Sequence, residues 1–317
     1  MTLSVRFIVR CCAIMLLAGP FCGEQSAAEN PFSGKKYLII HADDAGMSHS
    51  VNLATIESME KGIVSSCSIM VPCPWFPEFA DYARNHPEKD YGLHLTMNSE
   101  WKHYKWRPVA PLSQVPSLVD KEGYLWPDVP EVALNAKAAE VEIELRAQIE
   151  RAKQFRIPVS HLDTHMGTLF SRSDIVDVYV RLGIEYQQPI LFPRTLDAKT
   201  LALLPHMKER GPEFIRLLEH EKFPLLDGLL RFNDGNDHES RKSSYLKDMQ
   251  NLQPGLNQII IHCGIGNDEL KAITGTAMKR DSDRRVFTDP EMIAEIRRLG
   301  IEVITWKQAW EMVHSVK

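Results

Sequence analysis

Aspartate and histidine residues form four short clusters in this sequence, and each cluster lies at the end of an apolar run. Asp43 and Asp44 follow the run at residues 37–40, and His94 lies within the motif Gly-Leu-His-Leu. A third cluster, His-Leu-Asp-Thr-His, occupies residues 161–165, and His262 follows three isoleucines. Short apolar runs of this kind are typical of buried parallel strands. The carboxyl ends of such strands meet at one edge of a sheet, so we expect the four clusters to converge there.

Two adjacent carboxylates repel each other, and a bound cation relieves that repulsion. Aspartate with two histidines supplies a mixed oxygen and nitrogen ligand set that leaves coordination positions open for water and substrate. Such a set suits zinc or another first-row dication, whereas magnesium is less natural for imidazole. A metal-free interpretation also exists, because an Asp-Asp pair often forms a turn or a helix cap and a single strand histidine often lies in the core. The coincidence of four clusters at predicted strand ends favours the metal site.

The elements that would position these clusters alternate along the chain. Strand-like runs also occur at residues 63–64 and 68–71, 91–95, 159–162, 259–262 and 301–305, and helical periods lie between them, most clearly at 138–155 and 289–300. Ser48 or Ser50 can cap a further helix at 51–61, which Gly62 would close. The alternation continues without a linker or a repeat, which predicts a single α/β domain built on a parallel sheet. The length of 317 residues allows an α/β barrel.

The clusters also resemble the signature blocks of a known family. The blocks His-Ala-Asp-Asp-Ala-Gly-Met-Ser at 41–48, Gly-Leu-His-Leu-Thr at 92–96, His-Leu-Asp-Thr-His at 161–165 and His-Cys-Gly at 262–264 are similar in order and spacing to those of the YdjC-like carbohydrate deacetylases. That family includes the chitooligosaccharide deacetylases and the hopanoid-associated deacetylases. The resemblance extends over roughly residues 36–312. It implies a distorted (β/α) barrel related to the polysaccharide deacetylases, and metal-dependent removal of acetyl groups from N-acetylated sugars.

The resemblance implies a role for each matching residue. Asp44, His94 and His165 match the family's ligands for one divalent metal ion, zinc or magnesium. Asp43 matches the family's catalytic base. His262 lies where a late histidine supports catalysis, which makes it the candidate general acid, and we expect it on the opposite side of the metal from Asp43.

Asp163 has the place of a residue that orients a ligand or the substrate, which is a looser assignment. The sequence also departs from the chitooligosaccharide enzymes at two points. Their third block continues with further histidines, whereas His165 is followed here by Met-Gly-Thr-Leu, and their late block reads Cys-His-Pro-Gly instead of His-Cys-Gly. These departures leave the predicted metal ligands intact, and they argue against assuming chitooligosaccharide specificity.

The assigned residues fit amide hydrolysis. An acetamide resists hydrolysis because its carbonyl is a poor electrophile and water is a poor nucleophile. A dication polarises the carbonyl and lowers the pKa of bound water from about 15.7 toward about 7. Asp43 would accept a proton, and a histidine would protonate the leaving amine. Nucleophilic catalysis is a weaker alternative, because the sequence has no Gly-x-Ser-x-Gly motif and Cys263 cannot face inward together with His262 on one strand.

The loop after His94 is rich in aromatic and basic residues. Trp101, Tyr104 and Trp106 could form a rim whose rings stack on the apolar faces of a glycan. Alternatively, these rings pack the loop onto the barrel. Stacking on single-stranded nucleic acid is disfavoured by the formal net charge of −5.

The first thirty residues differ in composition from the rest. Arg6 and Arg10 precede an apolar run at 11–19, and small residues end the segment at 26–28, which predicts a secretory signal peptide at residues 1–28 and a mature catalytic domain at 29–317. The run is shorter than the roughly 20 residues that span a bilayer, which disfavours a retained anchor. The protein is therefore expected in the periplasm or outside the cell, where Cys67, Cys73 and Cys263 could form at most one disulfide.

The leading hypothesis is an exported, metal-dependent deacetylase that acts on N-acetylated oligosaccharides, with no nucleic acid partner and no membrane contact beyond export. A second hypothesis keeps the barrel and the metal but takes another amide or an ester as substrate. A third is a non-catalytic glycan-binding protein. The presence of both Asp43 and Asp44 argues against the third, because binding alone needs no base beside the metal. The content of 44% hydrophobic and 25% charged residues excludes a disordered or fibrous chain.

Overall fold

Seven strands form one parallel sheet in the computed structural model, which describes residues 30–230, 235 and 237–315. The predicted signal peptide at 1–28 lies outside these residues. The strands span Lys36–Ala45 (β1), Ser66–Ile69 (β2), Tyr91–Leu95 (β3), Val159–Thr164 (β4), Gly228–Leu230 (β5), Gly255–Ile261 (β6) and Ile301–Val303 (β7).

At least one helix lies between each two successive strands of the described chain, which is the arrangement that parallel pairing requires. In the described part of the chain they span His49–Glu60 (α1), Phe76–Asn85 (α2), Val129–Asn135 (α3), Ala138–Gln154 (α4), Ser173–Tyr186 (α5), Ala198–Leu203 (α6), Met207–His220 (α7), His238–Asn251 (α8), Asp268–Ile273 (α9), Ala277–Thr288 (α10), Pro290–Arg298 (α11) and Trp306–Ser315 (α12). Among the helices described, none combines the length and the apolar character needed to cross a bilayer.

The strands are arranged as a distorted barrel. Their order is β4-β3-β2-β1-β6-β5, and β7 pairs with the first three residues of β1. The chain between α5 and α6 connects the two ends of this path, because Leu162 of β4 pairs with Ile190 and Pro193 pairs with Leu226, shortly before β5. This arrangement confirms the predicted fold class. The distortion arises at β1, because a single edge of this strand pairs with two others. Residues 36–38 of β1 pair with β7, and residues 41–45 pair with β2.

Local sequence patterns located most of these elements. The helix predicted at 51–61 corresponds to α1, whose N-cap Ser48 accepts a hydrogen bond from the backbone N–H of Val51 at 3.3 Å. The helices predicted at 138–155 and 289–300 correspond to α4 and α11. Strand β5 was not predicted, because three residues are too few for a periodic signal.

Strand β1 extends beyond the predicted apolar run and includes both Asp43 and Asp44. Ala42 pairs with Cys67 and Ala45 pairs with Ile69, so β1 has one more residue than β2 over this stretch. Such a bulge interrupts the alternation of side chains along a strand. Asp44 lies in the bulge with a φ of 72°. Both carboxylates therefore reach the same end of the barrel, whereas successive residues of a regular strand point to opposite faces.

The three cysteines of the described region are buried free thiols, so no disulfide forms among Cys67, Cys73 and Cys263. Burial raises the pKa of each of these thiols, and nearby carboxylates reinforce that effect. The three residues therefore act as small core side chains.

Candidate metal centre

Asp44, His94 and His165 lie together at the carboxyl end of the barrel. Oδ1 of Asp44 is 3.4 Å from Nε2 of His94 and 3.4 Å from Nδ1 of His165. All three residues are buried. Strand β1 supplies the aspartate, β3 supplies His94, and His165 follows β4 directly. The structure thus brings together the three residues that the sequence predicted as ligands of one metal ion.

Three buried polar atoms at this centre lack a hydrogen-bond partner among the described residues. They are Oδ1 of Asp43, Oδ1 of Asp44 and Nε2 of His94. An unpaired buried polar group costs about 1–3 kcal/mol, so an unpaired cluster of this kind indicates a missing partner. A divalent cation would satisfy these atoms, and the imidazole and carboxylate donors suit zinc. The residues present therefore fit the implied metal ion.

The electrostatics of the centre favour positive charge. Burial alone would lower the pKa of His94 and His165, but neighbouring carboxylates raise both values, that of His165 to about 9. Burial alone would raise the pKa of Asp44, but Arg280 and the two histidines hold it well below its usual range. The carboxylates can therefore attract either protons or a dication that displaces those protons.

Asp163 lies behind His94. Its Oδ1 is 2.6 Å from Nδ1 of His94, and Oγ of Ser68 is 3.1 Å from the same nitrogen. A carboxylate in this position fixes the proton on Nδ1 and leaves the lone pair of Nε2 directed at the metal. Burial would raise the pKa of Asp163, but His94 and His41 hold it well below its usual range. Asp163 is thus placed where the predicted orienting role requires it, and the role itself stays a prediction.

Asp43 borders the three predicted ligands. Its Oδ2 lies 3.8 Å from Nε2 of His94, and its Oδ1 lies 3.3 Å from Nε2 of His41. The side chain is 9% exposed, so it is close to the surface of the site without being solvated freely. Oδ1 of Asp43 accepts no hydrogen bond from the described residues, so it can accept a proton, which is what the predicted base must do.

His262 follows β6 and lies beside Asp43, with 3.9 Å between Nε2 and Oδ2 of the aspartate. We expected it on the opposite side of the site. The sheet register explains the difference, because Ala42 of β1 pairs with Ile261 of β6 and the next residue of each strand is therefore adjacent. The imidazole keeps 41% of its surface exposed. Partial desolvation lowers the pKa of His262 from 6.5, and the negative charge of Asp44 opposes that effect.

Helix α10 supplies two residues that sequence reasoning missed. Its Arg280 donates from a terminal guanidinium nitrogen to Oδ2 of Asp44 at 2.7 Å, and both side chains are buried. Asp283, one turn further along, accepts the backbone N–H of His262 at 3.1 Å. Side chains of one helix thus contact a predicted metal ligand and the backbone of the candidate acid. Arg280 is 236 residues from Asp44 in the sequence, and no local motif marks it.

His41 connects the centre to the polar interior of the barrel. Its Nε2 is 3.0 Å from Oδ2 of Asp163, and its Nδ1 is 3.0 Å from Oγ of Ser66, which in turn donates to Asp90 at 2.6 Å. Burial would lower the pKa of His41, but Asp163 and Asp43 raise it to about 9. His41 therefore contacts Asp163 through a hydrogen bond and lies within ion-pair distance of Asp43.

His161 belongs to the core instead of the centre. Its ring stacks on Trp306 with 5.0 Å between centroids, and burial lowers its pKa well below the usual value. The ring lies across β3 at Gly92, where an added Cβ would come within 2.3 Å of Nε2. Only glycine at that position allows the ring to lie there.

The aromatic loop after β3 packs largely on itself. Trp106 is 2% exposed and donates its indole N–H to the carbonyl of Asn98 at 3.0 Å. The expectation that Trp106 forms part of an open rim is therefore wrong, because its ring has no free face for a sugar. Trp101 is partly buried, 5.4 Å from Trp106 between centroids, and the guanidinium of Arg280 lies 5.9 Å from the centroid of its ring.

The fold and the site define a class of protein: a distorted parallel α/β barrel with a buried Asp-His-His cluster at the carboxyl ends of its strands. The chain belongs to the YdjC-like protein family, whose family model matches residues 37–298. The resemblance noted in the sequence is thereby confirmed.

Two relatives and one solved structure are similar to this chain. The chain is 33% identical over 282 residues to a carbohydrate deacetylase of Thermus thermophilus, a match that covers 88% of this chain and 95% of the relative. It is 26% identical over 279 residues to a carbohydrate deacetylase of Geobacillus stearothermophilus, a match that covers 87% of this chain and 99% of that relative. A crystal structure from Enterococcus faecalis V583, of a protein proposed to cleave cellobiose phosphate, superposes with a TM-score of 0.72 at 24% identity over 86% of this chain and 98% of that chain. That likeness concerns the fold.

Proposed function

We propose that this protein is a metal-dependent carbohydrate deacetylase that removes acetyl groups from N-acetylated amino sugars. The observation that supports it most strongly is the buried cluster of Asp44, His94 and His165, with unpaired atoms facing one another and Asp43 at its border. Relatives that match almost their full length to this chain bear the name carbohydrate deacetylase. A sugar acetamide is the substrate that this combination favours.

The three ligands would hold the cation, which supplies Lewis-acid activation of the acetyl carbonyl and of water. Asp43 accepts the proton of the attacking water, and Nε2 of His41 lies within ion-pair distance of this carboxylate, 3.3 Å from Oδ1. His262 then donates a proton from Nε2 to the leaving amine. Its 41% exposed side chain is reachable by a substrate that enters from solvent. Asp283 holds the backbone of His262 in place for this transfer.

The sugar would meet Trp101 at the edge of the site. Arg280 lies over this indole, and Trp106 supports it from within the loop. An aromatic ring braced in this way offers a rigid apolar surface to a pyranose at a low entropic cost. We therefore assign Trp101 to sugar contact and Trp106 to support of the loop.

Acetate release from N-acetylglucosamine oligomers, measured with and without a chelator, tests the proposal. Activity should disappear with the chelator and return with added zinc or magnesium. His165→Ala should lose the metal and the activity while keeping its circular dichroism spectrum. His220→Ala, whose side chain is 82% exposed on α7, serves as the matched control and should behave as the wild type does. Full metal occupancy in His165→Ala would contradict the assignment.

The same experiment separates two other functions. Metal-dependent hydrolysis of another amide or of an ester, without acetate release from sugars, would favour the broader hydrolase. Sugar binding with no turnover of any acetylated substrate would favour a glycan-binding protein. Against this function, Oδ1 of Asp43 has no hydrogen-bond partner among the described residues, and binding alone gives this oxygen no evident use.

We also propose that the protein is exported to the periplasm or beyond the cell. The basic and apolar N-terminal segment supports this location. Cell fractionation and N-terminal sequencing should find a mature chain that begins at Glu29, and a cytoplasmic chain that begins at Met1 would contradict it.

A further inference from the structure

His165 lies between two carboxylates and contacts one through each ring nitrogen. Its Nδ1 is 3.4 Å from Oδ1 of Asp44, and its Nε2 is 3.0 Å from Oε2 of Glu100. The imidazole side chain is 5% exposed, and that of Glu100 is 19% exposed. An ionised carboxylate only accepts hydrogen bonds, so without a cation either nitrogen can bear a proton. A cation held by Asp44 would displace the proton from Nδ1, and the remaining proton would lie on Nε2, which faces Glu100. The lone pair of the neutral ring then lies on Nδ1, which faces the metal centre.

The other histidine of the centre uses its nitrogens in the opposite sense. His94 contacts Asp163 through Nδ1 and faces the centre with Nε2. Each histidine thus has its own carboxylate behind it, although the two carboxylates come from different elements. Asp163 lies in strand β4, whereas Glu100 lies in the aromatic loop after β3.

A tight turn fixes the backbone that follows His165. Met166 and Gly167 follow it with φ of 53° and 68°, a tight turn in the left-handed region. The hydroxyl of Thr168 is within hydrogen-bond distance of two oxygens, at 2.8 Å each: the carbonyl of His165 and Oδ1 of Asn98, which lies in the same loop as Glu100. These contacts connect the turn after β4 to the loop after β3.

We propose that Glu100 is a positioning residue that keeps the proton of His165 on Nε2 and so makes Nδ1 the nitrogen that binds the metal. Glu100 is not itself a ligand, because the imidazole of His165 lies between it and Asp44. The inference rests on the metal site of the proposed function. It also means that the loop that bears Trp101 contributes directly to the metal centre, since Glu100 immediately precedes that residue.

Zinc affinity, measured by competition with a chelator, tests this role in the full-length mature protein. Glu100→Leu removes the acceptor and should weaken zinc binding by about 10–100-fold, the usual effect of losing a residue behind a histidine ligand. Glu100→Gln keeps an acceptor oxygen without the charge and should show a smaller loss. Glu221→Gln is the matched control, because Glu221 forms a Glu–His pair with His220 at the C-terminal end of α7, away from the metal centre.

Equal affinity in the wild type and both Glu100 variants would overturn the inference. Equal losses in the two variants would overturn it as well, because they would assign the effect to charge alone. Nitrogen-15 shifts of His165 in the zinc-loaded wild type give an independent answer even where a variant fails to fold. A protonated Nε2 with zinc on Nδ1 supports the proposal, and the reverse assignment refutes it.

These measurements do not depend on deacetylation. A wild-type protein that binds zinc but releases no acetate would refute the proposed substrate and leave the role of Glu100 intact. A wild-type protein that binds no zinc and no other dication would refute this inference.

Discussion

Replacement of Arg280 by glutamine should destabilise the metal-free protein, because it leaves Asp44 buried without its cationic partner. The two side chains are 2.7 Å apart, and Arg280 is 7% and Asp44 1% exposed. Removal of one partner from a buried ion pair costs about 3–5 kcal/mol. At about 2–4 °C per kcal/mol for a large domain, the thermal midpoint should fall by about 6–20 °C.

Thermal denaturation at pH 7 with a chelator measures this effect directly. Saturating zinc should reduce the difference between variant and wild type, because the cation compensates part of the charge on Asp44. Arg285→Gln makes the same chemical change at an exposed position of α10 and should shift stability by no more than about 0.5 kcal/mol. If the Arg280 and Arg285 variants denatured at the same temperature, the ion pair would not be a source of stability.

The pH dependence provides a second check. Arg280 holds the pKa of Asp44 well below its usual range, so the pair's stabilisation is fully present above the ordinary carboxyl pKa and is lost as pH falls through the lowered value. The variant and the wild type should therefore converge in stability in strong acid. A difference that stayed constant from neutral pH into acid would refute the reasoning.

Three further outcomes follow from the site and the surface. Asp43→Asn should keep its metal in a metal analysis but lose about 10²–10⁴ in turnover, since the amide cannot act as a base; near-normal turnover would move the role to another residue, with Asp163 the next candidate. His262→Ala should slow the hydrolysis of amides more than that of activated esters, because only the amine needs a proton on leaving, and equal losses would indicate a role in binding. Glu142 accepts bonds from Arg181 and Arg146, which lower its pKa to about 2. Glu142→Gln should cost about 1 kcal/mol at pH 7 in urea denaturation, since the group is partly solvated, and the cost should begin to fall below the ordinary carboxyl pKa and vanish near pH 2.

The sequence by itself determined the fold class, and its resemblance to the YdjC-like family implied the three predicted metal ligands. Alternating apolar runs and helical periods specify a parallel α/β arrangement. A strand buried on both faces has a continuous apolar run, and a helix buried on one face has apolar residues at a helical period, so both are visible in the local sequence. The strand ends then indicate that the four Asp and His clusters meet at one edge, since all parallel strands point the same way. Asp44, His94 and His165 lie together there.

Only the tertiary structure decided how these residues are held. The bulge that brings Asp43 and Asp44 to one end depends on pairing between β1 and β2, and the proximity of Asp43 to His262 depends on the register between β1 and β6. The contact of Arg280 with Asp44 and the burial of Trp106 depend on packing between distant segments. A periodic pattern reports which face of an element is apolar. It does not report which partner a side chain reaches, because that depends on register and on contacts between residues far apart in the chain.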